Sequence, residues 1–173
     1  MAHGVLLTRR DMHEDLKLRI ANDHGKLDRL FEGLETSLRH ALTGGPPIDA
    51  EFFQDTRDDL NFALEEMFEH FGVEEEAIFA HIKAAIPALA PRVDALEADH
   101  EHLSSRTTRL RKMIAAADAG LKPLDLGQAL QLLSELRQIL VRHNQQEVQI
   151  FFDALEQMSP NDRQRLLDDL DHL

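Results

Sequence analysis

Apolar residues recur three or four positions apart along almost the whole chain, and no segment alternates apolar and polar residues as a half-buried strand does. This periodicity predicts four long helices, over about 11–41, from 49 into the eighties, 91–118 and 126–158. Gly44, Gly45 and the two prolines after them end the first helix, because neither residue type continues a helix well. Ser159 before Pro160 predicts the start of a short closing helix through Leu170.

Four long helices with short connections predict an all-α fold, an up-down-up-down four-helix bundle with a short additional C-terminal helix. The 173 residues suit a single domain. We divide the chain into an N-terminal extension over 1–10, the bundle over 11–158 and the short C-terminal helix over 159–173. That last helix either caps the bundle or pairs with another subunit.

Six polar residues occupy positions of the apolar stripes, spread over the four long helices: His24, His70, Glu74, His100, His143 and Glu147. Two helices carry the same spacing, His-x-x-x-Glu, at His70–Glu74 and at His143–Glu147. Residues four apart project from one face of an α-helix, so a histidine and a carboxylate spaced in this way can bind the same metal ion.

The four histidines also fall at one level of the predicted bundle. His24 lies 19 residues before Thr43, and His70 lies 21 residues after Asp49. At a rise of about 1.5 Å per residue, both therefore lie roughly 30 Å from the first turn. In the last hairpin, His100 is 18 residues before Asp118 and His143 is 17 after Leu126. The six residues are thus expected to form one layer.

A single histidine on an apolar stripe is usually a hydrogen-bonded core residue, and that interpretation competes with a metal site. Ionised carboxylates, however, are rarely buried unless they are paired or bound to a metal. Glu74 and Glu147 both face inward on this reading. Six ligands exceed the four of an ordinary zinc site. Mixed nitrogen and oxygen donors in this number instead suit two metal ions, iron or manganese.

Other polar residues nearby do not share both the helix face and the level of these six residues. Glu75 and Glu76 turn away from Glu74 and are predicted to form a solvated face. Glu97 lies three residues before His100. It is an extra ligand, a residue that orients a ligating histidine, or a surface charge. The other histidines are predicted to be too distant, solvent-facing or terminal: His3, His13, His40, His81, His102 and His172.

Composition narrows the function classes. A net charge of −13 makes nucleic acid and anionic membrane surfaces unfavourable partners. The absence of cysteine excludes disulfides, thiol catalysis, iron–sulfur clusters and cysteine-ligated zinc. The sequence contains no apolar run of about 18 residues and no recognisable signal peptide, so we expect a cytoplasmic protein without a membrane span.

The chain resembles the hemerythrin-like, or HHE cation-binding, family over residues 11–157. The resemblance rests on four segments: Asn22–Leu27, His70–Glu75, Asp99–Leu103 and His143–Glu147. It implies a non-haem centre of two iron ions with an oxo or hydroxo bridge, a manganese or mixed pair being the alternative. It also implies that Glu74 and Glu147 bridge the ions. We assign His24 and His143 to one iron, and His70 and His100 to the other.

One departure from the family bears on function. Oxygen-carrying members have a fifth histidine on the third helix, and Leu96 stands in its place here. The resemblance then implies an open position on both irons and reduction of dioxygen, peroxide or nitric oxide, as in a di-iron oxidoreductase. The alternatives are reversible oxygen, nitric-oxide or iron sensing, and iron donation in iron–sulfur repair, both without turnover. Related repair proteins usually carry a cysteine-bearing segment, which this chain lacks.

Overall fold

A computed structural model describes the backbone at residues 9–45 and 47–170, and the side chains at 24–45 and 47–168. Within these ranges the chain is helical and contains no β-strand. The helices are α1 Arg9–Leu42, α2 Ala50–Val73, α3 Ala80–Ala85, α4 Ala90–Asp118, α5 Leu126–Gln157 and α6 Pro160–Leu170. Residues 1–8 of the predicted extension, His3, His172 and the side chain of His13 lie outside the described residues.

The all-α bundle expected from the sequence is confirmed. Helix α1 packs on α2 and α5, and α4 packs on the same two helices, which closes a ring of four. The predicted second helix corresponds to α2, a π-helical segment over Glu74–Phe79, and α3. It ends at Ala85, because Pro87 lacks an N–H group and disfavours helical geometry at Ile86, whose φ is −138°.

Side-chain and glycine caps fix the ends of the helices. The Asp49 carboxylate accepts a hydrogen bond from the Phe52 amide at 3.1 Å, and that of Asp125 accepts one from Gln128 at 2.9 Å. Each bond satisfies an amide in the first turn that has no partner within its helix. Gly120, after α4, has φ of 68°, in the left-handed region that glycine adopts without steric cost.

Among the described residues, the buried apolar side chains form two clusters. The first joins α1, α2, α4 and α5, and includes Phe31, Met67 and Leu136. The second joins the π-helical segment, α3, α4, α5 and α6, and includes Phe151. Leu166 of α6 is fully buried in the second cluster, so α6 caps the bundle through that contact. No described helix is both long and apolar enough to cross a membrane.

Two glycines should respond to alanine with opposite signs. Gly33 lies inside α1 with open space around the position of a Cβ, so Gly33→Ala should raise the free energy of unfolding by about 1 kcal/mol. Gly120 has positive φ, so Gly120→Ala should lower it by about 1–2 kcal/mol. Urea unfolding of both variants tests this, and equal shifts would contradict the assigned backbone geometry.

Candidate metal centre

All six polar residues selected from the sequence meet in one layer between the two apolar clusters. Each helix of the ring contributes: His24 comes from α1, His70 from α2, and His100 from α4, while α5 supplies His143 and Glu147. Glu74 is the first residue of the π-helical segment. Five of the six residues are at most 2% exposed, and the His70 side chain is 12% exposed.

The four imidazoles present their Nε2 atoms to one another and to the two carboxylates. His24 Nε2 lies 2.8 Å from His70 Nε2 and 3.1 Å from Glu147 Oε2. His100 Nε2 lies 3.3 Å from His143 Nε2. The two oxygens of Glu74 are shared between helices, since Oε1 lies 2.9 Å from His70 Nε2 and Oε2 lies 3.1 Å from His100 Nε2.

These separations fit metal coordination. Donor atoms bound about 2.1 Å from one ion at right angles to each other are about 3 Å apart. Both Glu74 oxygens are buried, yet neither contact has hydrogen-bond geometry. Buried acceptors are normally hydrogen-bonded. The Glu74 oxygens therefore lie among nitrogen atoms without being hydrogen-bonded to them, whereas His24 pairs with His70 and His100 pairs with His143. A shared metal ion would give these oxygens a partner.

Charge in the layer also fits a cation. Burial lowers the pKa of His24 to about 4 and that of His143 to about 3, so both rings are neutral near pH 7. Burial would raise the pKa of Glu74, but its contacts with His100 and His70 hold that pKa well below the ordinary range. An ionised, buried carboxylate beside neutral nitrogen donors is stabilised by a bound metal ion.

Three groups of donors lie close enough to share an ion, with all atoms of a group within 4.8 Å of one another: His24–His70–Glu74, Glu74–His100–His143 and His24–His143–Glu147. The third group contains the pair His24 and His143 that the sequence analysis assigned to one iron. Among the described residues, no such group contains both His70 and His100. The reason is that these two rings approach different oxygens of Glu74, Oε1 and Oε2.

No other described histidine, aspartate or glutamate joins these groups. Leu96, at the position of the missing histidine, is fully buried in the second apolar cluster and offers no donor atom. Phe71 lies parallel to the His100 ring at a centroid distance of 3.8 Å, and Phe79 lies nearly parallel to it at 5.7 Å. His100 is thus held by apolar rings beside the site.

The structure gives each of two nearby glutamates a specific partner. Glu97 accepts a hydrogen bond from Lys83 at 2.6 Å, so its carboxylate belongs to a surface ion pair. Glu75, which the helical wheel placed on a solvated face, lies with Oε1 2.7 Å from His100 Nδ1. The Glu75 side chain is 43% exposed, so it does lie at the surface as predicted, and its carboxylate reaches His100 of α4 from there. A wheel of one helix gives no sign of that neighbour.

The remaining described histidines lie outside the centre. His40 and His102 are exposed, as the sequence predicted, and Glu76 is exposed as well. His81 is partly buried and borders a separate surface cavity with Asp162 and Arg165. None of these three histidines belongs to a group of donors that could hold an ion.

An ion pair braces α4 against α5 at the level of the centre. Arg142 donates a hydrogen bond to Asp99 at 2.6 Å, and the two residues immediately precede His143 and His100. Asp99 is only 6% exposed. Removing the arginine would leave a buried carboxylate without its charged partner.

We therefore expect Arg142→Ala to lower the free energy of unfolding by about 1–3 kcal/mol, because the Asp99 carboxylate loses its hydrogen-bond donor. The matched control is Arg109→Ala, at an exposed arginine of α4, which should change stability by less than about 0.5 kcal/mol. Chemical denaturation of both variants measures the difference, and equal stability would refute the brace.

Stability of the metal-free protein should depend on pH through His24 and His143. Their pKa values are lowered from 6.5 to about 4 and about 3, so below pH 6.5 the unfolded chain binds more protons than the folded one. Lowering the pH from 6.5 should thus cost up to about 1.4 kcal/mol per pH unit for each histidine. Urea unfolding of chelator-treated protein tests this. His143→Asn should reduce the slope, because the contribution of His143 is then lost.

Comparison with known proteins agrees with the geometry. The model of the Hemerythrin HHE cation binding domain matches residues 18–155, a span that contains all six residues of the layer. No curated protein and no solved structure gives a significant match. The chain therefore belongs to the hemerythrin HHE cation-binding domain family, and its buried cluster of histidines and glutamates fits a metal-binding protein.

Proposed function

We propose that this protein is a non-haem di-iron protein that binds and reduces small oxidants, namely dioxygen, peroxide or nitric oxide. The observation that carries the proposal is the position of Glu74. Its two oxygens approach histidines from different helices, Oε1 beside His70 and Oε2 beside His100. A carboxylate that meets two separate sets of nitrogen donors suits a bridge between two ions.

The donor groups support a specific assignment of ligands. His24 and His70 would hold one iron, and His100 and His143 the other, with Glu74 shared by both. Glu147 groups with His24 and His143, one histidine from each set, which suits a second bridge. Imidazole and carboxylate together favour iron, with manganese or a mixed pair as the alternative metals.

The residues around the donor atoms support access of a small molecule to the proposed irons and its reduction there. Leu96 supplies no ligand, so each iron would keep a position for an exogenous molecule. Bound iron would supply the electrons for reduction. The two apolar clusters keep bulk water from either side of the layer. The sequence has no Tyr or Trp, so no phenol or indole competes as an electron donor.

A groove between α1 and α5 gives a small molecule an approach to the layer. Its volume is about 490 Å³, and His24 forms part of its wall together with Asn144 and the aliphatic residues Leu140, Val141 and Val148. The lining is mostly apolar, which suits uncharged molecules such as dioxygen, nitric oxide and hydrogen peroxide. Such small molecules are the partners that we propose.

The test is metal analysis of anaerobically purified protein, with optical spectra before and after peroxide is added. We expect about two irons per chain, near-ultraviolet absorption from a bridged pair, and consumption of peroxide. His143→Ala should lose the metal and the turnover, because it removes a fully buried donor. His102→Ala, at an exposed histidine of α4, is the control and should keep both.

The outcomes separate the alternatives. Failure to bind stoichiometric metal after reconstitution with ferrous iron would overturn the proposal, because the layer would then be only a polar core. Stable, reversible binding of oxygen or nitric oxide without turnover would assign the protein to sensing instead. Transfer of iron to an acceptor without oxidant consumption would assign it to iron donation.

A further inference from the structure

We infer that Glu75 is a positioning residue that fixes His100 for metal binding, an inference that rests on the proposed metal site. Glu75 Oε1 lies 2.7 Å from His100 Nδ1, on the side of the ring opposite the donor atom Nε2. The His100 side chain is 3% exposed, whereas that of Glu75 is 43% exposed. Glu75 thus links a buried ring to the protein surface.

The contact distinguishes His100 from its neighbours in the layer. The Nδ1 atoms of His24 and His143 are also buried, but neither has a hydrogen-bond partner among the described residues. Of these three deeply buried rings, His100 alone has its outer nitrogen paired with a carboxylate. His100 therefore differs from His24 and His143 at Nδ1, even though all three rings present Nε2 to the centre.

Stacking by itself does not orient the His100 ring. Phe71 and Phe79 lie nearly parallel to it and restrict its plane. Rotating the ring by 180° about its Cβ–Cγ bond keeps the same plane but puts carbon atoms where Nδ1 and Nε2 were. A hydrogen bond from Nδ1–H to Glu75 removes this ambiguity, because only one orientation makes it. That orientation directs Nε2 toward Glu74 and His143.

The same hydrogen bond sets the state of the donor nitrogen. With the proton held on Nδ1, the lone pair of Nε2 is free for a metal ion. Loss of a carboxylate partner of this kind typically costs 10–100-fold in metal affinity. The ion held by Glu74, His100 and His143 should therefore be bound less tightly when Glu75 is removed.

The experiment titrates the chelator-treated full chain with Co²⁺ and follows ligand-field absorption. Glu75→Ala should weaken binding of one of two Co²⁺ ions by about 10–100-fold. Glu75→Gln should have a smaller effect, because its amide oxygen still accepts the Nδ1–H hydrogen bond. The matched controls are Glu76→Ala and Glu76→Gln, since Glu76 is exposed and adjacent. Both should bind Co²⁺ as the wild type does.

A second readout separates positioning from general stability. Nitrogen-15 NMR of the Zn²⁺-loaded protein should show a protected His100 Nδ1–H in the wild type and in Glu75→Gln. That proton should be lost to solvent exchange in Glu75→Ala. If the metal-free Glu75→Ala variant does not fold, as judged by circular dichroism, the comparison of Glu75→Gln with Glu76→Gln carries the test, with one Co²⁺ site weakened only in Glu75→Gln.

Two results would overturn the inference, and they are distinguishable. If the wild type binds two Co²⁺ ions and both Glu75 variants match the Glu76 controls in affinity and in the NMR signal, Glu75 does not position His100, while the metal centre stands. If the wild type binds no Co²⁺, the proposed metal centre fails and the inference fails with it.

Discussion

The fold of this protein is organised around the burial of two glutamates and four histidines between apolar clusters. Burying an ionised carboxylate is costly unless a partner compensates its charge. Glu74 and Glu147 are nevertheless fully buried. Compensation must come from within the layer, so all four helices of the ring have to meet at one level and present nitrogen atoms there. The connections and caps keep the helices in that relative position.

This constraint also explains why polar residues occupy the middle of otherwise apolar helix faces. In α5, His143 and Glu147 follow Leu136 and Leu140 on one face and precede Ile150 and Ala154, and all six are buried. The buried face of α5 therefore continues without interruption, although its middle residues are polar and its flanking residues are apolar. Each apolar cluster supplies burial free energy on its own side of the layer. The polar layer can then be optimised for its ligand rather than for stability.

Much of this arrangement could be predicted from the sequence, because helix periodicity and chain-length counting act on the same residues. The spacing of apolar residues located the helices, and counting from the turns placed His24, His70, His100 and His143 at one level. The sharing of Glu74 between histidines of α2 and α4 depends on where two helices touch, which one-helix patterns do not encode. The same holds for Glu75, whose partner lies 25 residues away on α4.

The π-helical segment Glu74–Phe79 limits how this chain can change. Such a segment contains an i→i+5 turn and so accommodates one more residue than an α-helical turn does. Deleting one residue there would restore a regular α-helical turn and leave the helix beyond it in nearly the same phase. A deletion in α2 would instead rotate everything beyond it by about 100°, which would take Ile82 out of the core and redirect the approach to Pro87. The second helix can therefore lose a residue inside this segment but not before it, so the extra residue shapes the wall of the centre without setting the position of the chain that follows.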